Sequence, residues 1–313
     1  MSEPCLVVSL GDVNGIGPET LLRFHKARPD LPLLCVGDRT AVLYWSREVG
    51  IAADFEVMDL NVRYHPEPGK RSSVAGVAAA QAVEAAYREA KRRGLPLVTL
   101  PLSKEAVALS RPGFTGHTEL LASLDGKRPD EVAMVLGGPK MLVLTLTRHV
   151  PLAAVPAALS TGLVVRQVAL AHEWFLRWRG RPPVIWLAGL NPHAGEGGNL
   201  GVEEASVLVP ALVALKQRGI AVEGPLPADT MFATGLRAGV DIFVGCYHDQ
   251  VLGPLKLLHF DEGVNATLGL SIVRTSPDHG TAFGIAGQGI ASEKSLAEAV
   301  RWALEMSGTD KDK

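Results

Sequence analysis

Cysteine is scarce in this chain. Cys5, Cys35 and Cys246 are the only three in 313 residues. They lie far apart, and no CxxC pair exists. A disulfide framework or a thiolate zinc site is therefore excluded as the organising chemistry, and a reducing compartment such as the cytoplasm is expected. Charge of one sign is missing too. The net charge is −2, with no basic block and no acidic tail, so nucleic acid is not an expected partner. The N-terminal Met-Ser-Glu-Pro has no positive region, and the first apolar run breaks at Gly11-Asp12, which argues against a signal peptide. The longest uncharged stretch, Val150–Val165, contains Pro151, Pro156 and Gly162; it is too short and too broken to span a bilayer. No internal repeat or low-complexity tract occurs. HExxH, the Walker A loop, the GxSxG elbow and GxGxxG are all absent, which lowers the case for the usual zinc protease, NTPase, hydrolase and Rossmann readings.

What is present is an alternation. Apolar residues make up 47% and charged residues 20%, enough for a sizeable core. Short apolar runs at Leu6–Leu10, Leu31–Val36, Leu97–Leu100, Met141–Leu146, Val184–Leu187, Ile242–Val244 and Ala266–Val273 read as strands. Ser72–Arg93 reads as a helix: it is Ala-rich, Ser72 or Ser73 can cap it, basic residues suit its end and Gly94 stops it. Arg166–Arg177, Glu203–Arg218 and Glu293–Met306 carry helical periodicity. The pattern predicts βαβ units, that is, an α/β fold with a largely parallel sheet. Turn-rich Arg111–Gly116 and Gly284–Gly289 mark candidate crossing points between domains.

Candidate functional residues gather in loops after the expected strands, where open α/β sheets bind ligands. Gly11–Glu19 follows the first strand and allows close backbone approach. Gly116-His117-Thr118-Glu119 offers donors to an anion at a helix start. Asn191–Gly198 places His193 in a glycine-rich loop. Tyr247-His248-Asp249-Gln250, with Lys256 beyond it, sets ionisable groups at a strand end; Asp249 can orient an imidazole or act as a base. Asn265 and Arg274–Ala282 supply a forked donor, a close backbone and a hydroxyl. Thr147–Leu152 ends a strand at His149. His25, His65, His172 and His259 read as surface residues.

Together these segments, with Pro101–Glu105 and Pro225–Phe232, resemble the 4-hydroxythreonine-4-phosphate dehydrogenase family, in order and spacing, from near the start to about residue 290. The resemblance implies a two-domain α/β/α fold like isocitrate and isopropylmalate dehydrogenases. Residues 1–110 with 288–313 would form one domain. Residues 111–287 would form a second that carries metal and dimer contacts, with the active site in the cleft between them. It implies a divalent metal on His149, His193 and His248. Zn²⁺ is the first expectation, with Co²⁺, Ni²⁺, Mn²⁺ or Mg²⁺ as alternatives. The two protomers of a homodimer would share these ligands. Substrate would lie on His117, Thr118, Lys256, Asn265 and Arg274, and NAD or NADP along His279, Gly280, Thr281 and Ala282. Asp249 and Lys104 are candidate bases. Val13-Asn14 and Leu102-Ser103 depart from the family's Pro-Ala and Ile-Asn, and relatives acting on 4-phosphothreonate or 4-phosphoerythronate are an alternative. An acyltransferase-like enzyme and a non-catalytic binding protein are the rival classes.

Overall fold

The computed structural model describes residues 3–308; the first two residues and 309–313, part of the expected first domain and of the N-terminal reading, lie outside them. The elements run β1 (Leu6–Ser9), α1 (Gly17–Ala27), β2 (Leu33–Gly37), α2 (Arg39–Val49), β3 (Glu56–Asp59), α3 (Ser73–Arg93), β4 (Leu97–Thr99), α4 (Lys104–Ala108) and α5 (His117–Leu124). Then come β5 (Ala133–Gly138), β6 (Met141–Thr145), α6 (Val155–Ala158), α7 (Thr161–Arg179), β7 (Ile185–Ala188), α8 (Val209–Gln217), β8 (Val222–Leu226), α9 (Ala228–Ala238), β9 (Ile242–Gly245) and α10 (His248–Leu258). The chain closes with β10 (Val264–Leu268), β11 (Arg274–Pro277) and α11 (Lys294–Ser307).

Two compact α/β units result. The first is Met1–Pro129, Asp261–Ala266 and Leu270–Lys313; the second is Asp130–Phe260 with Thr267–Gly269. These divisions fall elsewhere than the expected 110/111 and 287/288. The reason is packing. Arg111 pairs with Glu84 of α3 at 2.6 Å, and β11 pairs in parallel with β4. Both segments assigned to the second domain thus anchor in the first unit.

In the first unit the strand order is β3-β2-β1-β4-β11, then β10, and the β3-β2-β1-β4-β11 pairings are parallel. The α3 helix lies on β1, β2 and β4 beside α4 and α5, while α11 covers β11 and β4 next to α1. Alanine dominates the buried face of α3 and lets it approach closely. A Cβ on Gly76 would sit 2.6 Å from the Ala106 carbonyl carbon, so glycine there sets the depth of α4 and hence of Lys104. In the second unit the order is β5-β6-β9-β7-β8, with β5–β6 the antiparallel pair. Its core centres on Phe243, Val143, Leu136, Met231 and Leu255.

Ser72 caps α3 through Ala75 N–H, and Gly94 ends it at φ 69°, as its sequence predicts. Two readings need correction. Ala266–Val273 is not one strand: the chain breaks between β10 and β11. Gly269 takes φ +88° with its Cβ position 2.5 Å from the Glu131 carbonyl oxygen, and no ladder can run through that contact. His25 and His259 are buried rather than surface residues. His25 stacks edge-on against Phe55 at 5.0 Å, and His259 Nε2 accepts the Lys140 N–H at 3.2 Å while its ring fills the space beside Gly138.

One buried carboxylate ties the first unit together. Asp125, at the C-terminus of α5, accepts from Tyr87 Oη at 2.5 Å, Ser271 N at 2.7 Å, Ser271 Oγ at 2.6 Å and Lys91 Nζ at 3.0 Å. Burial alone would raise its pKa, but bonds from Ser271, Tyr87 and Lys91 prevail and hold it at about 2. Replacing Asp125 with Asn should cost about 3 kcal/mol, because charged bonds are lost and donors face donors. The sign follows from the depressed pKa. The gap between wild type and Asp125→Asn in urea melts should be full above about pH 4 and close as pH falls towards about 2. A gap that is flat across that range would contradict the assignment.

Candidate active site

Most of the candidate residues sit where parallel strands end. In the first unit, burial of Arg274 is the dominant fact. Arg274 opens β11, is 3% exposed, and donates from Nε at 3.1 Å and Nη2 at 2.5 Å to Thr99 Oγ1 at the end of β4. Burial pushes the guanidinium down to about 9 despite the nearby Glu119 carboxylate. His117 and Thr118 are the first residues of α5, whose N-cap Gly116 has φ 143° and gives no side-chain cap. The leading N–H groups of this helix therefore lack intrahelical partners. Burial, then the Arg274 charge, and lastly Lys104 push His117 down to about 3, against a raising bond to the Leu100 carbonyl. Its Nε2 is buried and has no hydrogen-bond partner among the described residues. Gly116 makes room for Lys104: a Cβ there would come 2.9 Å from Lys104 Cε and 3.3 Å from Nζ.

His117, Lys104 and Arg274 thus lie close enough to influence one another within one unit, with Thr118 next to His117 at the start of α5. Asn265 on β10 contributes a buried Oδ1 that also has no partner among the described residues. Sequence reasoning overlooked Asp12 here. It is fully buried at the end of β1, its Oδ2 is unpartnered, and burial raises it to about 6 against the Asn14 N–H bond. Its position directly after a strand in a glycine loop was the available signal.

The segment His279–Ala282 follows β11. Ile16 N–H donates to Thr281 O at 2.9 Å, and Gly15 lies so close that its Cβ would be 2.7 Å from that oxygen. The glycine loop after β1 therefore meets the loop after β11. His279 Nδ1 is 3.0 Å from Gly280 O, and Ala282 is left-handed at φ 44°. Ser295 fixes the approach to this segment by donating to Gly263 O and accepting Asp278 N–H.

The second unit holds the expected metal histidines. Strand order explains what sequence spacing hides. His149 follows β6, His248 follows β9 and His193 follows β7, and β9 lies between the other two with parallel pairing on both sides. Their loops leave neighbouring strands at the same end. The rings of His149 and His248 are 5.6 Å apart. His248 Nδ1 lies 2.6 Å from Asp249 Oδ1, which orients the ring and leaves Nε2 as its free ligand atom. His193 is not brought into the same group: among the described residues no three His, Cys, Asp or Glu side chains are arranged to hold an ion. Lys256 is two turns along α10 from His248, roughly 12 Å of helix, so the two do not meet through that helix.

The His193 loop is strained. His193, Ala194 and Glu196 take φ of 51°, 51° and 44°, costing roughly 1–2 kcal/mol for each L-residue. Buried Glu204 holds this loop by accepting Asn191 N at 2.8 Å and Asn191 Nδ2 at 2.9 Å, from the first turn of a π-helical segment. Gln250 joins the loops: its Oε1 accepts Cys246 N–H at 2.7 Å and its Nε2 donates to Gly189 O at 2.8 Å. Thr147 Oγ1 donates to Cys246 O at 2.7 Å. Neither Gln250 nor Glu204 was legible as a site residue, because their partners lie on other strands.

Gln250→Leu would leave the Cys246 N–H and the Gly189 C=O unpaired, at about 1–3 kcal/mol each. The melting temperature should fall by several degrees. Cys246, whose thiol burial pushes up to about 12, should react faster with a thiol reagent in the native protein. Unchanged melting and labelling would contradict the bridging role.

Comparison with known proteins identifies the family. The sequence profile described as "Pyridoxal phosphate biosynthetic protein PdxA" matches residues 26–303. The chain is 39% identical to D-threonate 4-phosphate dehydrogenase of Cupriavidus necator, covering 97% of both chains. It is 38% identical to 4-hydroxythreonine-4-phosphate dehydrogenase of Geobacter metallireducens, covering 98% of this chain and 96% of the relative. The crystal structure of 4-hydroxythreonine-4-phosphate dehydrogenase from Klebsiella pneumoniae superposes with a TM-score of 0.85 at 33% identity, covering 98% of each chain. Isocitrate dehydrogenase from Methylococcus capsulatus shares the fold, with a TM-score of 0.50 at 13% identity and coverage of 98% and 86%. The chain is an oxidoreductase and belongs to the family of the pyridoxal phosphate biosynthetic protein PdxA.

Proposed function

We propose that this chain oxidises 4-phosphohydroxy-L-threonine at C3, with NAD or NADP as acceptor and a divalent ion as helper. Loss of CO₂ then yields 3-amino-2-oxopropyl phosphate for pyridoxal 5′-phosphate synthesis. The single observation that carries this reading is the desolvated Arg274 beside His117, Thr118 and Lys104. A phosphorylated acid would bring more negative charge to these cations and donors. Asn265 Oδ1 can accept from a substrate donor.

The imidazoles fit a zinc-type ion in their donor chemistry, and His149 with His248 forms a converging pair. The third ligand in this reading is His193 from a second copy, so the active enzyme is a homodimer in the cytoplasm. When bound, the ion would polarise the substrate hydroxyl, and the dinucleotide along His279–Ala282 would take the hydride. The chain's own residues do the rest. Burial and the Arg274 charge push the His117 imidazole down, and a phosphate dianion beside it would oppose that shift. Arg274 and the leading N–H groups of α5 fix the anion's position. The hydroxyl proton passes to Asp249 or Lys104. The contact with His248 favours an orienting part for Asp249.

A second reading has equal similarity behind it. The 39% identity to D-threonate 4-phosphate dehydrogenase matches that to the hydroxythreonine enzymes, and the two substrates differ at C2, hydroxyl against amine. Both compounds should be assayed by NAD(P)H absorbance with chelated and Zn²⁺-restored enzyme. Turnover that vanishes on chelation and returns with metal is expected for one of them; none with either would overturn the proposal. In the same assay Asp249→Asn separates two roles. An orienting carboxylate should lower metal affinity about 10–100-fold, with activity recovered in excess metal. A base should leave kcat depressed at any metal concentration.

A further inference from the structure

Asn14 occupies one of the two places where the first motif departs from the family's Pro-Ala. It is fully buried, and its whole amide is used. Nδ2 donates to Tyr64 Oη at 3.1 Å and Lys70 O at 2.9 Å, and Oδ1 accepts Glu67 N–H at 2.8 Å. Its backbone oxygen accepts Gly69 N–H at 2.8 Å, and its own N–H donates to Asp12 Oδ1 at 3.0 Å. All three hydrogen bonds of the side chain thus go to a single segment some 50 residues away.

That segment, Tyr64–Lys70, contains no helix or strand to hold it. Asn61 and Arg63 just before it are left-handed at φ 56° and 58°. Besides Asn14, Asp38 holds it by accepting Tyr64 N–H at 2.8 Å. Its far side meets the segment that continues from Ala282. A Cβ on Gly69 would lie 3.0 Å from Phe283 O, and a Cβ on Gly287 would lie 3.3 Å from Pro68. The same glycine loop reaches Thr281 through Ile16 N–H. Three stretches, Asp12–Ile16, Tyr64–Lys70 and Thr281–Gly287, therefore meet pairwise, and Asn14 ties the first to the second.

We infer that Asn14 is a positioning residue for the dinucleotide: it pins Tyr64–Lys70 as a wall beside Thr281–Gly287 and so sets affinity for the cofactor's adenosine end. This rests on the reading that NAD or NADP lies along His279–Ala282. An alanine at this position, the residue of the family pattern that the motif resembles, would lack all three side-chain bonds.

The test uses full-length wild type, Asn14→Ala and Asn14→Asp, titrated with NADH and with NADPH by fluorescence. Asn14→Ala should weaken binding of the preferred dinucleotide at least fivefold. Asn14→Asp, which keeps the acceptor for Glu67 N–H and loses both donors, should fall between. KM for the dinucleotide should rise more than kcat falls, with KM for the phosphorylated acid little moved; a purely structural role would depress all of them together. Trypsin should cut at Arg63, Lys70 or Arg71 faster in Asn14→Ala, and NADH should slow that cutting in wild type. Binding within twofold of wild type in Asn14→Ala overturns the inference while leaving the cofactor reading intact. Failure of wild type to bind either dinucleotide overturns the cofactor reading, and the inference with it.

Discussion

A cation buried at the ends of parallel strands is the constraint around which the first unit is built. Desolvating a guanidinium is costly unless hydrogen bonds and counter-charge replace water. Thr99 Oγ1 accepts from Arg274 twice, yet burial still dominates its titration. Burial first, and the Arg274 charge second, push the His117 imidazole down. On the proposed function, an arriving anion would offset that desolvation. Much of the local architecture serves that placement: Gly76 lets α4 seat Lys104, Gly116 opens α5 beside it, and Asp125 locks the Ser271 turn that leads into β11.

The second unit solves a different problem with the same topology. Parallel order β6-β9-β7 delivers three histidine-bearing loops to one end of the sheet. Two of the rings converge in a single chain, and His193 is held apart on a left-handed turn that Glu204 stabilises. A chain that maintains three non-glycine residues in that conformation does so against their intrinsic preference, which marks the loop as shaped for a task beyond connecting two elements.

The sequence made some of this legible and hid the rest for physical reasons. The α3 helix was readable because its cap, its alanines and its Gly94 stop are local signals. The parallel α/β class followed from alternation alone. The split between β10 and β11 was hidden because Gly269 answers to the Glu131 carbonyl, not to its neighbours in sequence. His25 and His259 looked exposed because their burial depends on Phe55, Gly138 and Lys140. Motif residues could be named from the resemblance, but the closeness of His149 to His248 follows only from strand order. Asn14 and Gln250 were invisible as organisers because each one's partners lie on segments that meet it only after folding.

On the proposed function, Arg274 and its neighbours hold a doubly anionic, phosphorylated substrate. Isothermal titration of metal-loaded wild type and Arg274→Met with 4-phosphohydroxy-L-threonine, 4-phospho-D-threonate and their dephosphorylated counterparts tests it most directly. Wild type should bind a phosphorylated acid far more tightly than its unphosphorylated form, and Arg274→Met should lose most of that difference. Equal binding of phosphorylated and unphosphorylated acids by wild type, or an undiminished preference in Arg274→Met, would contradict it.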